Sequence, residues 1–266
     1  MKRSKKKKNS SKRIHCAVVV NDLQIPYEDQ KCKELLFMVL EHLGPDTEVV
    51  LNGDIIDGAE FSNFTHPLEM IPWHEESARL HEFLQKLSKY KVAYLLGNHE
   101  ERIREASCKQ DRAKGVKAVK EGKDVVIEAL ELKKYPNITS YPVGGVLKLG
   151  SLTITHGEGR PSGIAGNFAR KYLANYNKSV MIGHSHRMAF TPITVGAPGD
   201  QTTIGAWENG CLCRTTAWYH GGSTSANWQQ GFSVVYSEDG PDGYFHVVQI
   251  PIIRHRFIFD GKLFEA

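Results

Sequence analysis

The stretch VVVNDLQIPYED, residues 18–29, runs from three valines into the carboxylate of Asp22 and then reaches Pro26. The apolar run predicts a buried strand, and the proline ends it because its nitrogen carries no hydrogen for the strand ladder. Gln24 stands two residues after Asp22, where a second strong metal ligand would be expected. Three interpretations of Asp22 are open at this point: half of a metal site, part of a weakened one, or only the end of a strand.

Short apolar runs alternate with helical stretches from residue 14 onward, and this order predicts a parallel sheet with crossover helices. The strands predicted there are IHCAVVVN (14–21), TEVVLNGD (47–54), KVAYLLGNHE (91–100), GSLTITHGE (150–158) and SVMIGHSH (179–186). Helices are predicted at 29–44, 74–90 and 167–176, and the charged stretch 100–134 is expected to be an exposed helical segment. Beyond residue 200, strands are predicted at GCLCRTTAW (210–218), GFSVVYS (231–237) and GYFHVVQIP (243–251). No repeat or linker interrupts residues 14–266, so a single domain is expected.

Five of the predicted strands end in polar residues of the kinds that bind metals. These ends are Asp22-x-Gln24, Gly53-Asp54-x-x-Asp57, Gly97-Asn98-His99-Glu100, His156-Gly157 and Gly183-His184-Ser185-His186. The carboxyl ends of the strands in an open α/β sheet form one crevice, so these side chains are expected to meet there. A mixture of carboxylate, amide and imidazole ligands suits Mn, Fe, Zn, Ni or Co better than Ca or a thiolate-bound metal. Each motif alone is a weak signal, but the ordered set predicts a metal site.

The ordered motifs resemble the calcineurin-like metallophosphoesterase superfamily, in which D-x-H, G-D-x-x-D, G-N-H-[DE], a lone His and G-H-[ST]-H follow one another. Four of these five blocks match in full, over residues 14–190. GNHEERI (97–103) and WQQGF (228–232) also resemble compact members of bacteria and phages. The resemblance implies a phosphoric ester hydrolase with the metallo-dependent phosphatase-like fold. That fold is α/β, with a two-sheet β-sandwich flanked by α-helices in four layers.

The resemblance also implies a binuclear centre whose two metal ions share one carboxylate and a bridging hydroxide that attacks phosphorus. The ligands of the first ion would be Asp22, Gln24, Asp54 and His186, and those of the second would be Asp54, Asn98, His156 and His184. Gln24 departs from the family pattern, because it offers an amide oxygen where the family usually has a histidine nitrogen. That oxygen favours Mn²⁺ over Zn²⁺, with Fe, Zn and Ni as the alternatives.

His99 is not a metal ligand in the family pattern. The resemblance implies that it protonates the leaving oxygen or stabilises charge on the phosphoryl oxygens. Asp57 is preferred as the carboxylate that orients this imidazole, and Glu100 is the alternative.

The substrate is encoded less clearly than the metal site. Contacts are expected from Tyr27, His66 and Arg102, and a base could stack on Trp207, Trp218, Tyr219 or Trp228, unless these aromatic residues pack in the core. Gly58 stands where the protein phosphatases of the superfamily have an arginine, which favours a phosphodiesterase or nuclease acting on nucleic acid or nucleotides. The alternatives are a phosphomonoesterase acting on small or protein substrates and a catalytically weak nucleic-acid-binding protein.

The positive charge of the chain is concentrated at its start. Residues 2–13 hold eight of the 34 lysines and arginines and no acid, which leaves 26 bases and 30 acids in the rest of the chain. This basic tail, residues 1–13, is expected to be disordered and either to attract DNA or RNA through counterion release or to aid solubility. No apolar run reaches the roughly 20 residues of a membrane span, and no signal core follows the lysines, so a cytoplasmic protein is expected.

The five cysteines are scattered, which fits reduced thiols rather than a disulfide framework. Cys211 and Cys213 are spaced so that a strand would direct both thiols to one face. A zinc site at this pair is an alternative prediction, although the sequence offers no second cysteine pair to complete it.

Overall fold

The computed structural model of the protein describes residues 13–62, 70–110, 124–215 and 226–266. Two β-sheets pack face to face within these ranges, and helices cover their outer faces. None of the helices in these ranges is long and apolar enough to cross a bilayer. The basic tail lies outside the described residues, except for Arg13.

The first sheet contains six strands. Their bounds are Ile14–Val20 (β1), Glu48–Asn52 (β2), Lys91–Leu95 (β3), Ile138–Tyr141 (β4), Gly231–Glu238 (β10) and Phe245–Pro251 (β11). Their order across the sheet is β11-β10-β1-β2-β3-β4. The strands β1 to β4 are parallel, as the alternation of strands and helices predicted for β1, β2 and β3, whereas the sequence predicts no strand at β4. Strand β10 runs antiparallel to β1, and β11 runs antiparallel to β10.

The second sheet contains five strands. Their bounds are Leu147–Leu149 (β5), Leu152–Thr155 (β6), Val180–Ile182 (β7), Met188–Val195 (β8) and Thr202–Asn209 (β9). Their order is β5-β6-β7-β9-β8, in which β6, β7 and β9 are parallel. The strands Arg256–Phe259 (β12) and Lys262–Glu265 (β13) form a separate hairpin.

Five α-helices lie in the described ranges. Their bounds are Gln30–Leu43 (α1), Trp73–Lys86 (α2), Asn98–Gln110 (α3), Val125–Ala129 (α4) and Asn167–Tyr176 (α5), with 3₁₀ turns at Ala59–Phe61 and Leu132–Lys134. Helix α1 begins after Asp29, whose carboxylate accepts hydrogen bonds from the amides of Lys31 and Cys32, and it ends at Gly44 with φ +89°. These bounds agree with the helices predicted at 29–44, 74–90 and 167–176.

Alternate residues of β1 belong to two different parts of the core. Val18 and Val20 pack toward α1 and α2, whereas Ala17 and Val19 pack between the two sheets. A third cluster joins α5 to the outer face of the second sheet. The strand β1 is therefore buried on both faces, which explains its continuous apolar sequence. The resulting order of helix, sheet, sheet and helix is the four-layer architecture that the resemblance implied.

The strand predicted at 210–218 is wrong over residues 210–215, which are the part of it that the structure describes. Cys211 and Cys213 form only isolated bridges, to Gln230 and Glu28. The chain turns at Gly210, with φ +72°, and crosses the strand ends, because the amides of Leu212 and Cys213 donate to the carbonyl of Asp22. Trp218 and Tyr219 lie outside the described residues, as does 111–123 within the predicted helical segment 100–134.

Candidate metal centre

The polar ends of the strands from both sheets converge at one edge of the molecule. The loop after β1 continues to pair with the loop after β2, because the amide of Asp22 donates to the Gly53 carbonyl at 3.0 Å and the amide of Gln24 donates to the Asp54 carbonyl at 3.0 Å. The amide of Gly183 donates to the carbonyl of His156 at 3.0 Å and links the corresponding loops of the second sheet. Main-chain hydrogen bonds therefore determine how far apart the candidate ligands lie.

Five of the candidate ligands have left-handed backbone conformations. The φ angles are +53° at Asp22, +51° at Gln24, +53° at Asp54, +62° at His184 and +56° at His186. Residues other than glycine rarely adopt these angles, and such strain is concentrated at functional sites.

Two glycines of the motifs are required by close packing around the candidate ligands. A Cβ atom on Gly53 would collide with the ring of His156, and one on Gly97 would collide with the carboxylate of Asp54. Gly53 also has φ +83°, which favours glycine. The glycines in Gly53-Asp54 and Gly97-Asn98 thus allow ligands from different strands to approach each other.

Four candidate ligands each have one polar atom held by the protein. Oδ2 of Asp22 accepts from the amide of His184 at 2.9 Å, and Oδ1 of Asp54 accepts from the amide of His99 at 2.9 Å. Nδ1 of His156 donates to the Asn52 carbonyl at 2.6 Å, and Nε2 of His184 donates to the Gly159 carbonyl at 2.7 Å. The second polar atom of each side chain is left for another partner.

Several of the remaining atoms are buried without a hydrogen-bond partner. Oδ1 of Asp22, Oδ1 of Asn98 and Nε2 of His156 all have this property within the described part of the chain. Nε2 of His156 lies 3.1 Å from Oδ2 of Asp54, and one ligand atom from each of Asp54, His156 and His184 falls within a group 4.8 Å across. Buried polar atoms of this kind normally have partners, and divalent cations would provide them. The residues therefore fit a metal centre.

The electrostatics of the cluster agree with this fit. Burial raises the pKa of Asp54, but the imidazoles of His156 and His99 outweigh burial and bring it well below its ordinary value. Burial likewise opposes a charged His156, yet the carboxylate of Asp54 raises the pKa of this histidine to about 10. Burial also opposes a charged His186, whose pKa rises to about 9 beside Asp22. The buried carboxylates thus attract positive charge strongly, as metal ligands must.

A family model identifies this constellation. The model of the calcineurin-like phosphoesterases matches residues 17–188, which include all of the candidate metal ligands. The chain belongs to the calcineurin-like phosphoesterase family. It is therefore a hydrolase that acts on phosphoesters in a metal-dependent reaction.

Two phage proteins are similar to this phosphoesterase along nearly its whole length. The Gene 54 proteins of Mycobacterium phages L5 and D29 are each 29% identical to it, over 278 and 274 residues, and each match covers 96% of this chain and all of the phage protein. A predicted phosphoesterase from Streptococcus pneumoniae is a structural match with 14% identity and a TM-score of 0.37, over 96% of this chain and 99% of that chain. The phage relatives agree with the predicted resemblance to compact phage members.

The convergent strand ends line a cavity of about 610 Å³. Of the residues predicted to contact substrate, Arg102 lies in the cavity wall. Tyr27 does not line the cavity, because the chain turns away after Gln24 and pairs through Ile25 with Ile56. His66 lies outside the described residues. The sequence interpretation missed two further arginines in the wall, Arg160 and Arg187.

Their positions in the sequence offered a signal for both arginines. Arg160 follows the His156-Gly157 motif and Arg187 directly follows His186. Arg187 also joins two loops, because its guanidinium donates to the carbonyls of Ser162 and Asn227. Trp228 lies beside it, with its ring centroid 4.1 Å from that of His186, whereas Trp207 packs against aromatic side chains.

The histidine predicted to act on the leaving oxygen is held from two sides. Nδ1 of His99 donates to the carbonyl oxygen of Asp57 at 2.8 Å, and the Asp57 carboxylate lies 3.5 Å away. The main chain of Asp57 thus makes the shorter contact. The guanidinium of Arg102 donates to Nε2 of His99 at 3.0 Å and to the Asp57 carbonyl at 2.6 Å. Burial lowers the pKa of His99 to about 4, and the charge of Arg102 acts in the same direction.

Glu100, the alternative partner for His99, has a different position. Its buried carboxylate accepts hydrogen bonds from the amides of Asp54, Ile55 and Gly97 and from the hydroxyl of Tyr94, at 2.8–3.0 Å. Glu100 therefore ties the loops that carry Asp54 and Asn98 to each other, instead of orienting the imidazole.

Gln24 lies between the candidate ligand His186 and the proposed proton donor His99. Its amide nitrogen is 3.4 Å from Nε2 of His186 and 3.5 Å from Nε2 of His99. Turning the amide by 180° places its oxygen at the same point, since the two atoms occupy nearly equivalent positions. The side chain is therefore within reach of a cation held by Asp22 and His186.

Removal of the metal should destabilise the protein through these ligands. Mn²⁺ added to chelator-treated protein at 100 times its dissociation constant should stabilise it by about 2.7 kcal/mol, or about 5–10 °C in a thermal unfolding scan. The Asp54→Asn variant should lose most of this increase, because it removes the carboxylate that lies 3.1 Å from Nε2 of His156 in the cluster of candidate ligands. Asp46→Asn, at an exposed acid, is the matched control. An undiminished increase in Asp54→Asn would rule out the assignment.

A buried acid beside the cavity should make stability depend on pH. Burial raises the pKa of Glu76 from its ordinary 4.5 to about 8, and its Oε1 accepts from the amide of Gly58 at 2.7 Å. Because folding raises this pKa, the stabilising contribution is complete below pH 4.5 and is lost as the pH rises to about 8. The loss is on the order of 4 kcal/mol.

The Glu76→Gln variant should not show this loss, since glutamine mimics the protonated acid. Urea unfolding at pH 5 and pH 8.5 measures the effect: the variant should match the parent protein at the lower pH and exceed its stability at the higher pH. Glu75→Gln, at the exposed neighbour, should behave like the parent at both. The same pH dependence in Glu76→Gln and in the parent would contradict the prediction.

Proposed function

We propose that this phosphoesterase is a binuclear phosphodiesterase that cleaves nucleic acid or nucleotides. The observation that carries the proposal is the distribution of cationic side chains around the cavity. Arg102 reaches it from α3, after the first sheet, whereas Arg160 and Arg187 reach it from loops of the second sheet. Arginines on both sides fit a substrate with more than one phosphate, and they bind phosphate oxygens with paired donors.

The aromatic side chain of Trp228 supports the same substrate class. It lines the cavity next to Arg187 and covers the ring of His186. A base attached to the scissile phosphate could stack on its face, which is tolerant of base identity. The eight bases of residues 2–13 would add attraction for a nucleic acid without selecting its sequence.

The metal ligands are assigned from the family motifs, and four of them, Gln24, Asp54, His184 and His186, line the cavity. Two divalent cations, when bound, would activate a water molecule and stabilise charge on the phosphoryl oxygens. The first set of ligands is Asp22, Gln24, Asp54 and His186, and the second set is Asp54, Asn98, His156 and His184. The carboxylate oxygens and the amide oxygens of Gln24 and Asn98 among them favour Mn²⁺. Residues 14–266 are proposed to form a single domain around this centre.

The chemistry of the leaving oxygen is assigned to His99 together with Arg102. The neutral imidazole donates Nδ1–H to Asp57, so that its Nε2 is the nitrogen next to the cavity and accepts from the guanidinium. A phosphate anion in the cavity would compete for this guanidinium and favour protonation of Nε2. His99 could then donate that proton to the leaving oxygen, while Arg102 offsets negative charge.

The phosphomonoesterase alternative is favoured by one specific observation. Gly58 lacks the arginine of the protein phosphatases, but the guanidinium of Arg102 donates to the carbonyl of the preceding Asp57. An arginine from α3 therefore occupies this neighbourhood. Its guanidinium could clamp a terminal phosphate, which is the group that a phosphomonoesterase binds.

The assay compares three substrates with the Mn²⁺-loaded protein. Bis(p-nitrophenyl) phosphate should be hydrolysed at least about tenfold faster, in kcat/KM, than p-nitrophenyl phosphate, which corresponds to about 1.4 kcal/mol in the transition state. Single-stranded DNA should be cut in the same preparation. A preference for the monoester would favour the phosphatase, and DNA binding without hydrolysis of any ester would favour the weak binding protein.

The His99→Ala variant tests the role of the histidine. We expect kcat for the diester to fall by about 10²–10⁴, because the proton donor and its contact with Arg102 are lost. Metal analysis should give the same content as in the parent protein, since His99 is not assigned as a ligand. His74→Ala, at an exposed histidine of α2, is the control and should keep the parent rate. Parent-like activity in His99→Ala would exclude the assignment.

A further inference from the structure

Two buried cysteines lie against the far side of a candidate metal ligand. Cys211 and Cys213 are free thiols with exposed fractions of 0% and 1%, and His186 is 5% exposed. Sγ of Cys213 lies 3.7 Å from Nδ1 of His186, the nitrogen opposite to the one that faces Asp22. Ligand atoms of the three residues all lie within 4.8 Å of one another. They form a second ligand cluster, which we name the thiol cluster.

The spacing within the thiol cluster fits one tetrahedral metal ion. Zinc binds sulfur at about 2.3 Å and imidazole nitrogen at about 2.0–2.1 Å, so a sulfur and a nitrogen on the same ion lie about 3.6 Å apart. The observed separation of Cys213 and His186 is 3.7 Å. Because the three ligand atoms are already grouped, binding would require little movement of the chain.

Main-chain hydrogen bonds hold the thiol cluster beside the hydrolytic centre. The amide of Cys213 donates to the carbonyl of Asp22 at 3.0 Å, and the amide of Cys211 donates to the carbonyl of Gln229 at 3.0 Å. The amide of Gln229 in turn donates to the carbonyl of His186 at 2.8 Å. Each cysteine is therefore tied to a loop that carries a candidate ligand.

We propose that Cys211, Cys213 and Nδ1 of His186 bind one thiophilic divalent cation, such as Zn²⁺ or Cd²⁺, at an inhibitory site. This inference rests on the proposed function, which assigns Nε2 of His186 to the first hydrolytic metal. Thiolate ligands select soft cations, so Mn²⁺ does not compete for the thiol cluster.

The shared histidine makes the two uses mutually exclusive. A neutral imidazole has one nitrogen with a free electron pair, so ligation through Nδ1 leaves the hydrogen on Nε2. That N–H can only donate, and Oδ1 of Asp22 lies 3.0 Å from it. Binding releases one proton from each thiol, and the proton of Nδ1 is replaced by one on Nε2. The hydrolytic centre then lacks one ligand while the inhibitory ion is bound.

Cadmium is the probe for the thiol cluster. Full-length protein is treated with chelator, saturated with Mn²⁺ and titrated with Cd²⁺, while the ultraviolet thiolate-to-cadmium absorption and the hydrolysis of bis(p-nitrophenyl) phosphate are followed. We expect the absorption to saturate at one equivalent and the hydrolysis rate to fall in parallel by about tenfold or more, since loss of a ligand contact costs at least as much as loss of its supporting partner.

Variants separate the thiol cluster from the other cysteines. The Cys211→Ser/Cys213→Ser double variant should lose both the absorption and the inhibition at the first equivalent. Cys108→Ser, at an exposed cysteine of α3, should keep both. Absorption that persists in the double variant would place the cadmium at another group, such as Asp29, Cys32 and His255, and would overturn the proposal.

A measurement on the unmodified protein covers the case in which the double variant does not fold. The ¹¹³Cd NMR shift of the one-equivalent complex should correspond to two sulfur ligands and one nitrogen ligand, and a shift typical of oxygen ligands would overturn the site. Absorption at one equivalent without any fall in hydrolysis would refute the shared histidine. If the protein hydrolyses no ester, the proposed function fails, yet the absorption and the NMR shift still test the cadmium site.

Discussion

Two buried carboxylates, those of Asp22 and Asp54, impose the constraint on which the rest of this structure depends. Each is at most 1% exposed, and moving an unpaired carboxylate out of water costs several kcal/mol. The structure compensates this cost with His186 opposite Asp22 and with His156 opposite Asp54. Because these histidines come from the second sheet and the acids from the first, compensation of charge joins the two sheets at their common edge.

The same constraint explains the backbone around the acids. Asp22 and Asp54 occupy left-handed turns, and Glu100 stabilises the second turn by accepting hydrogen bonds from the amides of Asp54 and Ile55. A third acid in this location adds negative charge, and burial together with Asp54 raises the pKa of Glu100. The geometry of this loop thus depends on Glu100, a side chain to which no step of the reaction is assigned. It supports the site by satisfying main-chain donors, as buried polar groups in proteins generally must.

The two ring nitrogens of His186 connect the proposed metal centre with the thiol cluster. One nitrogen of its ring faces Asp22, the other faces Cys213, and Trp228 covers the ring. Because these contacts leave the ring few other orientations, its tautomer determines which of the two nitrogens can bind a cation. Under this proposal, Mn²⁺ supports hydrolysis, whereas Zn²⁺ or Cd²⁺ at the thiol cluster inhibits it.

Sequence reasoning was most successful where a local pattern has one physical explanation. The continuous apolar run of β1 predicts a buried strand, and the helix predicted at 29–44 is found with its end at Gly44. It failed at 210–218, where Cys211 and Cys213 resemble a strand but are held by carbonyls of distant loops. Arg160 and Arg187 were missed although each follows a histidine motif in the sequence, because only the packing of the loops shows that both side chains line the cavity.

The sequence by itself determined the family, the parallel strands β1 to β3 and the identity of the strand-end residues, because apolar runs followed by Gly-Asp, Gly-Asn-His and Gly-His-Ser-His are local features. Only the tertiary structure decided which atoms of those residues are left without partners, which main-chain group holds His99, and which arginines surround the cavity. The physical reason is that these properties depend on hydrogen bonds and contacts between segments far apart in the chain, such as Asp22 with His184 and Cys213 with His186. A spacing of residues cannot encode such contacts, whereas the packing of two sheets determines them.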